Sequence, residues 1–162
     1  MVPFEAVIIP LYHMMNQWGL TDTLWALILP QIGLSVSFGT LWMRGFFEET
    51  PRELVDAAAI DGCNRWQVLW RILWPLARPA SLTLVVLVFM WTWNEFLLAL
   101  VMVQQETMRT LPVGLAFFQG RYSADIPLMA AGSLIVAGPI LLVYIIFQRY
   151  FVRGLVGGAV KG

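Results

Sequence analysis

Hydrophobic and polar residues alternate along the chain in blocks, and three of the hydrophobic blocks are long. They cover residues 24–43, 81–103 and 126–147, and the only charge within them is Glu95 in the second. A helix needs about 20 apolar residues to cross a bilayer, where it must satisfy its own backbone hydrogen bonds. Each block therefore predicts a transmembrane helix. Residues 1–20 are also apolar but are interrupted by prolines, a glutamate and a histidine, and they predict part of a helix whose beginning is missing.

Polar residues are concentrated in one long connection, residues 44–80. Thr50 and Pro51 are suited to the N-cap and the first position of a helix, and Glu53 follows at the third position, as in a capping box. A run of alanines favours helix, and Gly62 can end it in the left-handed conformation. The pattern predicts a helix of about two to three turns, which is too short to be stable alone.

A second short helix is predicted from Cys63 to Pro75. Arginines and tryptophans in this stretch are typical of the headgroup level of a membrane. The tryptophans recur at every fourth residue, which predicts one aromatic face: Trp66, Trp70 and Trp74. We expect this helix to lie along the cytoplasmic interface, where the row is an anchor rather than a ligand stack.

Composition supports a membrane protein. Hydrophobic residues make up 59% of the 162 residues and charged residues 12%, and the mean hydropathy is +0.74. Soluble domains carry about 25% charge, so neither a disordered chain nor a water-soluble globule fits. The formal net charge is zero, which gives no basic surface for nucleic acid. The single cysteine permits neither an internal disulfide nor a cysteine-based metal cluster, and we expect no metal site.

Basic residues are distributed unequally between the two sides that the spans define. Five arginines lie in residues 44–80 and three basic residues follow residue 147, whereas only Arg109 and Arg121 lie between the second and third spans. Lys and Arg are enriched in cytoplasmic loops. Eight against two therefore predicts that the long connection and the C-terminus are cytoplasmic.

Several separated motifs resemble one family. Asp56-Ala57-Ala58, Asp61-Gly62, Ile72 and Pro75 resemble the EAA loop of the permease subunits of bacterial binding-protein-dependent ABC importers. Asp56 stands where the family has glutamate, and Trp74 stands where leucine is usual. Further matches along the chain resemble the carbohydrate, maltose-type branch: Trp93 to Leu97, Leu111 to Leu115, Phe118 to Gly120 and Gln148 to Phe151.

The resemblance implies an all-α integral membrane protein with three full transmembrane helices, an N-terminal partial helix and a cytoplasmic coupling loop. Residues 1–162 then form a single permease domain that is incomplete at its N-terminus, because family members are longer and carry more spans. The implied activity is import of a sugar, a polyol or a sugar phosphate across the bacterial cytoplasmic membrane.

The implied partners are a dimer of ATPase subunits, a second permease subunit, an extracytoplasmic solute-binding protein and membrane lipid. The chain itself is expected to be no enzyme and to need no cofactor, with ATP bound by the ATPase. Its only lysine is Lys161, so a phosphate-binding loop of the G-x-x-x-x-G-K-[ST] type is excluded.

The resemblance also assigns candidate site residues. The short helix would dock into a groove on the ATPase, and the coupling residues are Glu53, Asp56, Ala57, Ala58, Asp61 and Gly62. Asn94 and Glu95, placed inside the second span, are candidates for the substrate pathway, with a structural hydrogen bond between helices as an equal alternative. Residues suited to the binding protein, or simply to a solvated loop, are Gln119, Arg121, Tyr122 and Asp125.

Two other functions are compatible with the pattern. One is a truncated, inactive permease that still binds the ATPase through its loop. The other is a secondary transporter or channel that works without ATP. Ion-coupled carriers usually have several ionisable residues at mid-membrane depth, and here only Glu95 qualifies.

Overall fold

Helices of very different lengths make up the computed structural model, which describes residues 3–118 and 126–159. No strand occurs within those two ranges. A 3-10 turn covers Glu106–Met108. In chain order the helices are α1 (Phe4–Gln17), α2 (Trp25–Glu48), α3 (Arg52–Ile60), α4 (Arg65–Trp93), α5 (Leu97–Met102), α6 (Leu111–Ala116) and α7 (Ile126–Ala159).

Three of these helices are long and apolar enough to cross a membrane: Trp25–Glu48, Arg65–Trp93 and Ile126–Gln148. Few of their residues are buried. A helix that is apolar all round and not covered by protein is typical of one that faces lipid or further transmembrane helices. The predicted all-α membrane protein with three spans is confirmed.

The second span differs from the predicted range, 81–103. Its helix, α4, begins at Arg65 and ends at Trp93. The hydropathy pattern missed the beginning because three arginines interrupt it there. It missed the end because the residues after Trp93 remain apolar although the chain leaves the helix. The predicted separate helix from Cys63 to Pro75 is likewise wrong, since this stretch is the first part of α4.

A π-helical turn at Leu69–Leu73 precedes Pro75 within α4. The N–H of Trp74 donates to the carbonyl of Leu69, five residues back. Pro75 has no N–H to give to the preceding turn. The wider turn accommodates the proline, so α4 continues where the sequence predicted a break.

The described residues form two compact units. The first unit comprises Met1–Leu34 and Met90–Leu142, as far as they are described. Its core lies where α1 and α5 pack together, around Met15, Ala26, Leu98, Met102 and Val103. Two longer-range hydrogen bonds join helices in this unit. Thr92 donates to the amide oxygen of Gln31 at 2.7 Å, and the Trp93 indole donates to the carbonyl of Val136 at 3.0 Å.

The second unit comprises Ser35–Phe89 and Val143–Gly162, again as far as described. In it α2 and α4 approach closely. The indole of Trp42 donates to the carbonyl of Ala80 at 3.1 Å. One turn away, a Cβ added to Gly39 would lie 3.3 Å from Leu84, so glycine allows the close approach. In the sequence, α3 lies between these two helices.

Candidate coupling site

The C-terminus of α3 is closed by a Schellman motif. Gly62 has φ +78°, which confirms the predicted left-handed conformation. Its N–H donates to Ala59 at 3.1 Å, and the N–H of Cys63 donates to Ala58 at 3.0 Å. These two bonds satisfy carbonyls that the end of a helix would leave unpaired. The helix therefore ends sharply.

The start of α3 differs from the prediction. Thr50 is not its N-cap, because the Thr50 hydroxyl donates instead to the carbonyl of Phe46 at 3.1 Å, in the last turn of α2. Pro51 occupies the N-cap position without a side-chain hydrogen bond, and the helix begins at Arg52. The predicted capping box with Glu53 is therefore wrong. A hydroxyl within reach of a preceding helix has two possible partners, and the sequence does not choose between them.

A capping box does occur, but at the start of α4. The Asn64 side chain accepts from the N–H of Gln67 at 2.8 Å, and the Gln67 side chain accepts from the N–H of Asn64 at 2.8 Å. The sequence carries a signal for this box in its N-x-x-Q pattern, which the prediction of a helix from Cys63 did not use. The Schellman motif and the capping box are adjacent, so the chain turns from α3 into α4 without a flexible linker.

Every residue of α3 except Ala58 is exposed, and one face of the helix carries two acids. Glu53, Asp56, Ala57 and Ile60 follow the spacing of one helix face, and all four are exposed. We call this set the acidic face. Ala58, on the other side of the helix, is only 3% exposed. Five of the six predicted coupling residues are thus available to a partner, and Ala58 is a buried contact of α3.

Sequence reasoning missed the apolar part of the acidic face. Ile60 is 86% exposed, although a β-branched aliphatic side chain normally seeks a covered position. The only signal in the sequence for its exposure was its position at the end of the helix, one residue before the C-cap. Such an exposed apolar side chain is a feature that protein-binding surfaces share.

Asn94 and Glu95 lie in the first unit, whereas the coupling residues lie in the second. Glu95 lies in the break between α4 and α5, so the prediction that it lies inside the second span is wrong. Its Oε1 accepts from the N–H of Leu98 at 2.7 Å, so it caps α5. Asn94 donates to the carbonyl of Met90 at 2.8 Å. Within the described residues, Oε2 of Glu95 makes no hydrogen bond.

The candidates for contact with a binding protein fall outside the described residues: Gln119, Arg121, Tyr122 and Asp125. In the part of the chain that is described, no three His, Cys, Asp or Glu side chains come together in a group that could hold a metal ion.

The family model and the individual relatives that match this chain are all components of transport systems. The profile of the family described as "Binding-protein-dependent transport system inner membrane component" matches residues 1–157. The chain is 38% identical to the arabinooligosaccharides transport system permease protein AraQ of Halalkalibacterium halodurans, over 100% of this chain and 57% of AraQ. It is 37% identical to the trehalose transport system permease protein SugB of Mycobacterium tuberculosis, over 100% of this chain and 60% of SugB.

A third relative is a probable ABC transporter permease protein, YurM, of Bacillus subtilis. It is 37% identical over 98% of this chain and 53% of its own length. The chain thus spans between half and three-fifths of the length of these curated relatives.

Proposed function

The chain belongs to the family of binding-protein-dependent transport system inner membrane components, and from this premise we propose that it is a permease subunit of an ABC importer. The resemblance found in the sequence motifs is confirmed by the family match. The solute that we propose is a sugar or a related polyol or sugar phosphate. Support comes from the names of relatives such as AraQ and SugB, which are permeases for arabinooligosaccharides and trehalose.

The observation that carries the proposed mechanism is the acidic face of α3, exposed and held between two short connectors. Residues 49–51 join α2 to α3, and residues 61–64 join α3 to α4. A force on α3 is therefore transmitted to both spans rather than absorbed by a loop. We propose that α3 is the coupling helix and that a cytoplasmic ATPase dimer moves it.

The other partners follow from the same proposal. ATP would be bound and hydrolysed by the ATPase subunits, and the chain itself would carry no enzymatic activity and no cofactor. A second permease subunit would complete the translocation path, and an extracytoplasmic binding protein would deliver the solute. Support for further helices beside this chain comes from the largely exposed apolar surfaces of its spans.

We further propose that Asn94 and Glu95 lie on the solute pathway. The amide oxygen of Asn94 and the Oε2 atom of Glu95 both lack partners among the described residues. A carboxylate oxygen and an amide oxygen are acceptors that suit sugar hydroxyl groups. Their place in the break between α4 and α5 leaves them outside regular helix, where side chains can reach a solute.

Charge reversal at Asp56 tests the coupling role. Asp56 is exposed and forms no ion pair with any residue that the structure describes, so replacing it disturbs little within the chain. Asp56→Lys should weaken association with the ATPase by about 2 kcal/mol, or about thirtyfold, if the ATPase groove carries a charge complementary to the acidic face, as we propose. The measurement is copurification of the ATPase with the permease from detergent-solubilised membranes.

Glu106→Lys is the matched control. Glu106 is an exposed acid whose one ion pair, with Arg109, lies at 3.4 Å, and it is expected on the opposite side of the membrane. It should leave copurification unchanged. Undiminished recovery of the ATPase with Asp56→Lys, at equal membrane insertion, would reject α3 as the coupling helix.

A further inference from the structure

Three large aromatic side chains are exposed on the first turns of α4. Trp66 is 71% exposed, Trp70 58% and Trp74 41%. The rings of Trp70 and Trp74 contact each other edge to face, with centroids 5.7 Å apart. Exposed tryptophan is costly in water but favoured where an apolar region meets headgroups, since the ring is apolar and the indole N–H is polar.

Arginines without acidic partners lie on the same segment. Arg65, Arg71 and Arg78 are exposed. None forms an ion pair with a carboxylate in the described part of the chain. The sequence from residue 62 to residue 94 contains no aspartate or glutamate at all. The segment thus has a local charge of +3 that no carboxylate in the described part of the chain pairs with.

The length of α4 places this segment at the membrane surface. Its 29 residues correspond to about 44 Å at 1.5 Å per residue, against a hydrocarbon core of about 30 Å. Between Arg78 and Glu95 no charge occurs, and this uncharged part of α4 covers about 23 Å of the core, which leaves Arg78 within its cytoplasmic edge. The excess two to three turns, with the tryptophans and Arg71, then lie among the headgroups. Arg78 is close enough to the surface for its guanidinium to reach the same level.

The π-helical turn keeps these side chains in line. In an α-helix every fourth residue drifts by about 40° around the axis, because 3.6 residues complete a turn. In the stretch Leu69–Leu73 the turn is wider, so the drift from Trp66 through Trp74 to Arg78 is reduced. The result is a strip of aromatic groups that ends at Arg78, with Arg71 about a quarter turn to one side of it.

We propose that this strip, formed by Trp66, Trp70, Trp74 and Arg78 with Arg71 beside it, is a binding surface for the phosphate headgroups of anionic phospholipids. A guanidinium group can donate two parallel hydrogen bonds to a phosphate, and the indoles hold the glycerol and upper acyl region. Bound lipid would fix the beginning of α4 directly beside the capping box that receives α3. The proposal rests on the cytoplasmic placement of this end of α4 proposed above.

Lipid retention tests the surface directly. The chain is reconstituted in vesicles of equal phosphatidylglycerol and phosphatidylcholine, extracted in mild detergent, and its bound lipids are counted by mass spectrometry. We expect wild-type protein to retain phosphatidylglycerol preferentially. The double variant Arg71→Gln/Arg78→Gln should lower this preference by up to about fivefold for each arginine removed. Arg71→Lys/Arg78→Lys keeps the charge but not the paired hydrogen bonds, so its preference should fall between wild type and the glutamine variant.

Arg44→Gln is the control, because Arg44 is an exposed arginine outside the strip that is already paired with Glu48 at 2.7 Å. An unchanged lipid ratio in the double glutamine variant, or an equal fall in Arg44→Gln, overturns the proposal. Loss of bound phosphatidylglycerol when the ATPase is added also overturns the proposal, because the strip would then be a protein contact. If the double variant fails to insert, the two single variants decide. The readout is bound lipid, so this result is independent of solute uptake and of ATPase association.

Discussion

Asp22 holds a backbone conformation that few residues other than glycine adopt, with φ 58°. Its carboxylate explains why. Oδ1 accepts from the N–H of Gln104 at 2.6 Å and from the N–H of Gln105 at 3.1 Å, and the N–H of Asp22 donates to Met102 at 3.0 Å. The turn after α1 is thus fixed to the segment that leaves α5. The left-handed strain is offset by charge-assisted hydrogen bonds.

Asp22→Ala removes these bonds and keeps the unfavourable backbone angle. We expect the free energy of unfolding to fall by about 2 kcal/mol, because hydrogen bonds to a charged group contribute about 1.5–3 kcal/mol. Asp22→Asn should cost less than about 1 kcal/mol, since asparagine offers the same acceptor and tolerates left-handed angles. Thermal unfolding in detergent separates the two variants. Equal stability of both would show that the carboxylate does not hold this turn.

At Gly62 only the backbone conformation, and not the space around it, restricts the choice of residue. A Cβ at this position would meet nothing within 4 Å, so a larger side chain is opposed only by the angle of +78°. Gly62→Val should cost about 1–2 kcal/mol and loosen the turn between α3 and α4. We expect the assembled importer to hydrolyse ATP with less solute taken up per ATP. Gly62→Asn is the control, and normal coupling in the valine variant would count against a role for this turn.

At the scale of elements, α5 is the helix whose start bears on function. The carboxylate of Glu95 caps it through Leu98, and the same side chain is our candidate for contact with solute. Glu95→Ala leaves a partly buried N–H without an acceptor and should destabilise the protein by about 1 kcal/mol. Glu95→Gln keeps an acceptor for Leu98 but removes the charge, so stability should be close to wild type.

These two variants distinguish the capping role of Glu95 from a contact with solute. If Glu95 contacts solute, uptake by Glu95→Gln should fall at least tenfold while its unfolding temperature stays near that of wild type. Transport measured in vesicles with the binding protein and ATPase present gives the answer. Full transport by the glutamine variant would leave the capping bond as the whole role of Glu95.

Local signals in the sequence predicted some elements well and others poorly. Gly62 was predicted correctly because glycine adopts the left-handed conformation of a helix end at the lowest cost. Thr50 was predicted wrongly because its hydroxyl could bond to either of two helices, and it bonds to the carbonyl of Phe46, four residues back in α2. The break at Asn94 could not be predicted from hydropathy, since it depends on which side chain satisfies which backbone group. The coupling residues themselves came from a resemblance, which neither periodicity nor composition supplies.

At the scale of the whole molecule, the charge distribution predicts which side of the membrane each loop faces. Cys63 is the single cysteine of the chain, half-buried at the turn after α3. A membrane-impermeant maleimide should label it in inside-out vesicles and not in intact cells, because the charge distribution predicts a cytoplasmic connection.

A relocated cysteine checks the opposite face. The variant Cys63→Ser/Glu106→Cys should be labelled in intact cells, since the segment between the second and third spans is expected outside. Labelling of native Cys63 from outside would invert the topology and exclude contact between α3 and a cytoplasmic ATPase.

The connection from α3 to α4 has no residue to spare. Of its four positions, Asp61 caps α3, Gly62 takes the left-handed angle, Cys63 donates the closing bond and Asn64 caps α4. One inserted residue would make this connection flexible. A displacement of α3 would then no longer be passed fully to α4. The length of this connection is therefore restricted, and an inserted residue should be tolerated better in another loop of the chain than here.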